Sequence, residues 1–154
     1  MRISLICVGR LGRAPEAALA RDYAERAAAT GRALGLSPVE IIEVEPRKPG
    51  KAAEADVILE RAAGAALIAC DEHGRGLGSR DFAGRLAALR DEGVRDLALV
   101  IGGADGLDAR VLAAARETLA FGAQTWPHAL ARAMLAEQVY RAATILAGGP
   151  YHRD

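Results

Sequence analysis

Four short, almost uninterrupted apolar runs separated by helix-length stretches constrain this chain more than any other feature. They are Ile3–Val8, Val39–Val44, Ala65–Cys70 and Leu97–Ile101. Each is too short for a helix and is bounded by glycine, proline or charged residues, which favours a strand. Between the first two, Pro15 is placed to open a helix, because a proline in the first turn forfeits no hydrogen bond. Ala18, Tyr23, Ala27 and Leu34 are its expected inward residues and Gly35 its terminator. A basic loop over Pro46–Gly50 leads to a second helix over Ala52–Ala63. Ser79, with Asp81 and Phe82, marks a third helix start, running to Asp91. Asp108 is expected to cap a short helix and Thr118–Phe121 to form a fifth strand. A final helix is predicted over Ala129–Leu146, with Leu130, Met134, Val139 and Ala142 near one face. The glycine-rich Asp71–Gly78 and the irregular Gly122–Pro127 read as loops. Strands alternating with helices predict an α/β fold, its mostly parallel sheet covered on both faces. With no linker, repeat or low-complexity stretch, residues 1–154 are expected to form a single domain.

A chain of 154 residues with 51% hydrophobic and 26% charged residues is long and apolar enough for a real core. The abundant alanine is given no functional meaning. Twenty basic residues balance 20 acidic ones, so no general electrostatic grip on nucleic acid is indicated. An enzyme acting on RNA with this balance needs a local basic patch or a partner. Cys7 and Cys70 lie in strand-like runs and read as reduced, buried thiols. Neither the cysteines nor His73, His128 and His152 have metal-ligand spacing, so no metal is expected. No apolar run approaches the roughly 18 residues of a membrane span. Arg2 leads directly into a strand with no cleavage site, so a cytoplasmic protein is expected.

Ligands of open parallel sheets bind at the carboxyl ends of strands. Three such ends carry suggestive loops: Cys70-Asp71-Glu72-His73-Gly74, Ile101 to Leu107, and Gly122 to His128. Gly102-Gly103 suits either close approach to a ligand, through positive φ, or a tight turn into a helix. Gly9-Arg10-Leu11-Gly12 lacks the full dinucleotide fingerprint, and no Walker lysine is present. His73 reads as a solvated loop residue. His128 suits either a base or the first turn of a helix. The tail Pro150-Tyr151-His152-Arg153-Asp154 would ordinarily fray. Yet Tyr and His can stack on an extruded base, and Arg can hold phosphate or a base edge.

Together, ISLICVG at the start, LVIGGADGL at Leu99–Leu107, TWPHALARAMLAEQVYRA and the terminal PYHRD resemble one family over the whole chain. It is that of the ribosomal large-subunit pseudouridine N3-methyltransferases known as RlmH, of the SPOUT class. The resemblance implies a trefoil-knotted α/β fold, with a cofactor-binding knot over roughly residues 70–154, and an obligate homodimer. It implies S-adenosylmethionine as cofactor and a pseudouridine of 23S ribosomal RNA, on the assembled ribosome, as substrate. Carried over by position, the cofactor contacts fall on Cys70, Gly102, Gly103, Gly122, Ala123, Gln124, Thr125, Trp126 and Pro127. The catalytic group comprises His128 as base or orienter, Arg153 as anion stabiliser, and Tyr151 with His152 as a platform for the target base, acting across the dimer. This chain departs mildly from the family pattern. Cys70 stands where leucine is more usual, Trp126 where a smaller apolar residue is common, Ala129 where proline is frequent and Asp154 where Glu is. Two rival readings are a nucleotide-binding α/β enzyme such as a small reductase, and a non-catalytic ribosome-associated module.

Overall fold

The computed structural model describes residues 1–153. Five strands, β1 (Arg2–Val8), β2 (Val39–Val44), β3 (Ala66–Gly76), β4 (Asp96–Ile101) and β5 (Glu117–Ala120), form one sheet in the order β2-β1-β4-β3-β5. Every strand pairing is parallel. Ile3, Leu5 and Cys7 of β1, with Leu97, Leu99 and Ile101 of β4, face one side. Ile6, Val8, Ala98 and Val100 face the other. Both faces are buried, which is why these strands read as unbroken apolar runs rather than alternating ones.

Helices α1 (Pro15–Gly31), α3 (Ser79–Asp91) and α5 (His128–Leu146) cover the first face. Helices α2 (Lys51–Arg61) and α4 (Ala109–Ala114) cover the second. Steps toward the β2 edge run over the first face and steps toward the β5 edge over the second. All four crossovers therefore share one hand, as parallel strands require. The connections leaving β3 and β4 pass to opposite faces, so their loops part and open a crevice at the carboxyl edge.

The alanines have a packing role. Ala17, Ala20, Ala24, Ala27 and Gly31 form the buried stripe of α1, at helical spacing, and face α5. Ala18, expected inside, points to solvent because it lies one step round the helix from that stripe. Tyr23 and Leu34 are half-buried as flanking residues. On α5 the buried face carries Ala131, Leu135, Ala136, Val139, Ala142 and Ala143. Leu130 is 40% exposed. It belongs with half-buried Met134 and Glu137 to a different stripe from Val139 and Ala142, correcting the expected single face.

The expected glycine-rich loop from Asp71 is also corrected. β3 continues to Gly76, and residues between Cys70 and Arg75 bulge out where both face Leu119 of β5. Gly74 permits this: a Cβ there would lie 2.7 Å from the backbone carbon of Leu119. Ser79 begins α3 as expected, but Gly78 is the cap residue, and the Ser79 hydroxyl instead donates to Oε1 of Gln138 on α5 at 2.9 Å. Asp108 does cap α4, accepting from the Arg110 amide at 2.9 Å. Among the described residues no helix is long and apolar enough to cross a membrane.

Candidate active site

The crevice at the ends of β3 and β4 is a cleft of about 590 Å³, within the range of small-molecule sites. Three chain segments wall it. The β3 bulge supplies Cys70, Asp71 and Glu72, the turn after β4 supplies Gly102–Gly106, and the approach to α5 supplies Gln124–His128. Ile101, Leu119, Phe121 and Ala131 form the apolar floor. The segments are tied together: the Thr125 hydroxyl donates to Oε2 of Glu72 at 2.8 Å, and the Trp126 indole donates to the Phe121 carbonyl at 3.1 Å. Asp71 turns the bulge by accepting the His73 amide at 2.9 Å, while the His73 ring stays in solvent.

The lining carries Asp71, Glu72 and Asp105 and neither lysine nor arginine. Such a wall repels polyphosphate and favours a ligand with positive charge. Burial pushes the Cys70 thiol well above the usual thiol range, so it enters the wall as a neutral group.

Packing against backbone requires glycine at the first residue of the β4 turn, Gly102, and neither Gly102 nor Gly103 has positive φ. A Cβ on Gly102 would meet the Gly106 backbone at 2.9 Å, and one on Gly103 would meet the Glu54 carboxylate at 2.7 Å. The Gly103 amide donates to that carboxylate at 3.3 Å, and Gly103 pairs with Gly106 across the turn. Positive φ falls on Gly106 instead, at 76°. Of the alternatives open at these glycines, the structure shows the tight turn, and the positive φ expected for close approach is not found at either.

Of the expected cofactor residues, Cys70, Gly102, Gly103, Gln124, Thr125, Trp126 and Pro127 converge on the cleft, and so does His128. Gly122 and Ala123 do not. Gly122, with φ of 102°, lines a second cavity with Met134 and Glu137. The tail is absent from this cleft too. It folds onto its own α5, where the Tyr151 hydroxyl donates to Glu137 at 3.0 Å and its ring lies 4.7 Å from that of Tyr140. The Arg141 guanidinium sits 4.8 Å from the centre of the Tyr151 ring and 3.3 Å from His152 Nδ1. Burial, then bonding to Tyr23 and Glu137, holds the Tyr151 phenol protonated. Arg153 is exposed, and Asp154 lies outside the described residues. Glu137 is nine residues along α5 from His128, or about 13 Å of helix rise.

A family model described as "Predicted SPOUT methyltransferase" matches residues 1–152. The chain belongs to the SPOUT methyltransferase family. Among its SPOUT relatives, "Ribosomal RNA large subunit methyltransferase H" of Caulobacter vibrioides is 66% identical over 154 residues, covering 100% of this chain and 99% of that protein. The protein of the same name from Phenylobacterium zucineum is 62% identical, each chain covered to 100%. Two solved structures share the fold. A probable methylase family protein of Haemophilus influenzae superposes with a TM-score of 0.59 at 14% identity, covering 99% of this chain and 70% of that one. A probable methyltransferase of Bordetella pertussis gives 0.56 at 18% identity, covering 92% and 96%.

Reading this SPOUT sequence by motif misses one device beside the cleft. Arg132, one turn into α5, is 1% exposed. It pairs with Glu43 at the end of β2 and donates to the Gly9 carbonyl at 3.0 Å; its Nε has no partner among the described residues. Glu43 also accepts the Leu11 amide at 3.1 Å. The pair fixes the first turn of α5, and with it His128, to the ends of β1 and β2. An arginine within an otherwise apolar stretch of a helix face was the available signal, and its partner lies 89 residues away in sequence.

Proposed function

We propose that this protein is a cytoplasmic, homodimeric enzyme that transfers a methyl group from S-adenosylmethionine to N3 of a pseudouridine in 23S ribosomal RNA, on the assembled ribosome. Residues 1–154 act in this reading as a single domain, the knotted trefoil threading occupying roughly 70–154. The observation that carries it is the cleft: apolar-floored, acid-rimmed, free of lysine and arginine, and built from the loops after β3, β4 and β5. A sulfonium cation with an adenosyl group fits that lining, whereas a dinucleotide's phosphates do not, which disfavours a reductase. The names borne by the relatives point to ribosomal RNA as the substrate.

When bound, S-adenosylmethionine supplies an electrophilic methyl group. Cys70, the backbone of Gly102–Gly106 and the segment Gln124–Pro127 hold it, and Asp71, Glu72 and Asp105 favour its positive charge. His128, at the first turn of α5 on the cleft wall, is placed to take the N3 proton or to orient the base. The free amides of that first turn favour the developing anion. The tail lies about 13 Å along α5 from its own His128, so Tyr151, His152 and Arg153 complete the site of the second copy. There Arg153 would stabilise the deprotonated base, with the two rings as its platform.

The test is transfer of labelled methyl to ribosomes lacking the modification, with separated subunits and bare RNA in parallel. Label in large-subunit RNA, greatest on assembled ribosomes, is expected. A folded protein that binds S-adenosylmethionine yet labels no RNA would overturn the substrate; one that binds none would overturn the reaction.

A further inference from the structure

The zero net charge hides a segregation. Arg10, Arg13, Arg47 and Lys48, on the loops that follow β1 and β2, and Lys51, at the start of α2, are all exposed. These strands are parallel neighbours, so their ends lie side by side: Val8 pairs with Val44, and the Gly9 amide donates to the Val44 carbonyl at 2.9 Å. Glu45 is the acid between the two loops, and Arg10 pairs with it at 3.0 Å. Glu43, beneath them, is taken by Arg132. Arg13, Arg47 and Lys48 form no ion pair among the described residues. Several cations elsewhere are neutralised locally, Arg26 by Asp22, Arg85 by Glu117, Arg110 by Asp56 and Asp108, and Arg141 by Glu137, so it is the crowding of these basic residues beside the cleft that sets the cluster apart.

This cluster adjoins the cleft. Lys51 opens α2, the Glu54 amide donates back to the Gly50 carbonyl at 3.0 Å, and the Glu54 side chain accepts the Gly103 amide. Asp108, just beyond the glycine turn, is held below the usual carboxylate range chiefly by the Arg110 amide and guanidinium, with Lys51 adding a minor share. A continuous path thus runs from the basic loops to the wall at Gly103. The cleft repels phosphate and the adjoining surface attracts it, so a polyanion would settle beside the cleft and leave it to an uncharged base.

We propose that Arg10, Arg13, Arg47, Lys48 and Lys51 form the surface that grips the phosphate backbone of the RNA substrate while the target base enters the cleft. This rests on the reading that the substrate is RNA. Neutralising phosphates releases counterions, so binding through this surface must weaken with salt, by about 0.7 to 0.9 log units of affinity per log unit of salt for each contact.

The experiment compares three proteins on ribosomes lacking the modification: the natural chain, a surface variant (Arg13→Gln, Arg47→Gln, Lys48→Gln) and a control variant (Arg2→Gln, Arg61→Gln, Arg95→Gln). The control removes the same charge from the amino-terminal ends of the strands, away from the cleft. S-adenosylmethionine affinity, by calorimetry, is expected to match in all three and reports intact folding. The surface variant should raise KM for ribosomes at least about tenfold with kcat largely kept, and flatten its salt dependence by about two units. The control should behave like the natural chain. Equal KM and salt slope in the surface variant and the natural chain would overturn the surface alone. So would equal losses in both variants, which would indicate net charge rather than position. Should the surface variant lose cofactor binding, the double Arg47→Gln, Lys48→Gln variant decides by the same criteria. If the natural chain methylates no RNA, the substrate reading falls and this surface with it.

Discussion

Arg132 carries a charge that the interior holds by pairing. Its guanidinium is buried with Glu43 and the Gly9 carbonyl as partners. Removing one member of a buried pair strands the other and costs about 3 to 5 kcal/mol. Glu43 keeps about a third of its side-chain exposure, which places Arg132→Ala near the lower bound, about 3 kcal/mol, by urea unfolding. Cys7 lies beside it, and burial is the main reason its thiol is pushed up to about 12 from an ordinary 9.0; Arg132 opposes the shift. The folded pKa exceeds the unfolded one, so the thiol adds no slope below about pH 9. Above that the unfolded chain loses its proton first, and stability falls until about pH 12. Between about pH 8 and about pH 10, Cys7→Ala should therefore lose about 1 kcal/mol less than the natural chain. Gly103 stands on the cleft wall, where a Cβ would displace the Glu54 carboxylate and a large side chain would project beside the cleft. Gly103→Trp is expected to weaken S-adenosylmethionine binding by more than about 1.4 kcal/mol, tenfold in Kd, by calorimetry.

Strand β3 does two jobs. Its first half is core, and its second half carries the bulge that brings Asp71 and Glu72 to the cleft while Arg75 and Gly76 re-pair with β5. Gly74 is the residue that lets two backbones meet there. Gly74→Val should force β3 from β5, cost about 1 to 3 kcal/mol in denaturant unfolding, and weaken cofactor binding in parallel. Helix α5 is likewise divided. Its alanine face lies on α1 and its first turn closes the cleft. Its outer stripe, through Glu137 and Arg141, docks the tail.

The whole molecule holds its tail away from its own cleft. Under the dimeric reading each site draws its donor pocket from one copy and Tyr151, His152 and Arg153 from the other. Two inactive variants, Gly103→Trp and Arg153→Ala, should then complement each other. In a mixed dimer the Arg153→Ala cleft receives an intact tail, so equal mixing and re-equilibration should restore about a quarter of natural methyl transfer. A mixture as inactive as its components would show that each tail serves its own chain.

The alternating strands and helices were legible because short unbroken apolar runs bounded by glycine, proline or charged residues favour strands buried on both faces. The family was legible from IGGADGL and PYHRD, which survive as local strings. Cys70, Gly102, Gly103 and Gln124–His128 meet on one cleft because the loops that carry them follow the carboxyl ends of strands, where a parallel sheet opens. The reasons behind those residues were not local. Gly103 answers to Glu54 on helix α2, and Gly74 to the backbone of β5. Arg132 answers to Glu43, far away in sequence. Gly122 and Ala123 differ from their neighbours only in where the turn after β5 points them. Charge shows the same division. The balance of 20 basic and 20 acidic residues is fixed by the sequence. The meeting of two basic loops beside the cleft depends on β1 and β2 being parallel neighbours, which only folding decides.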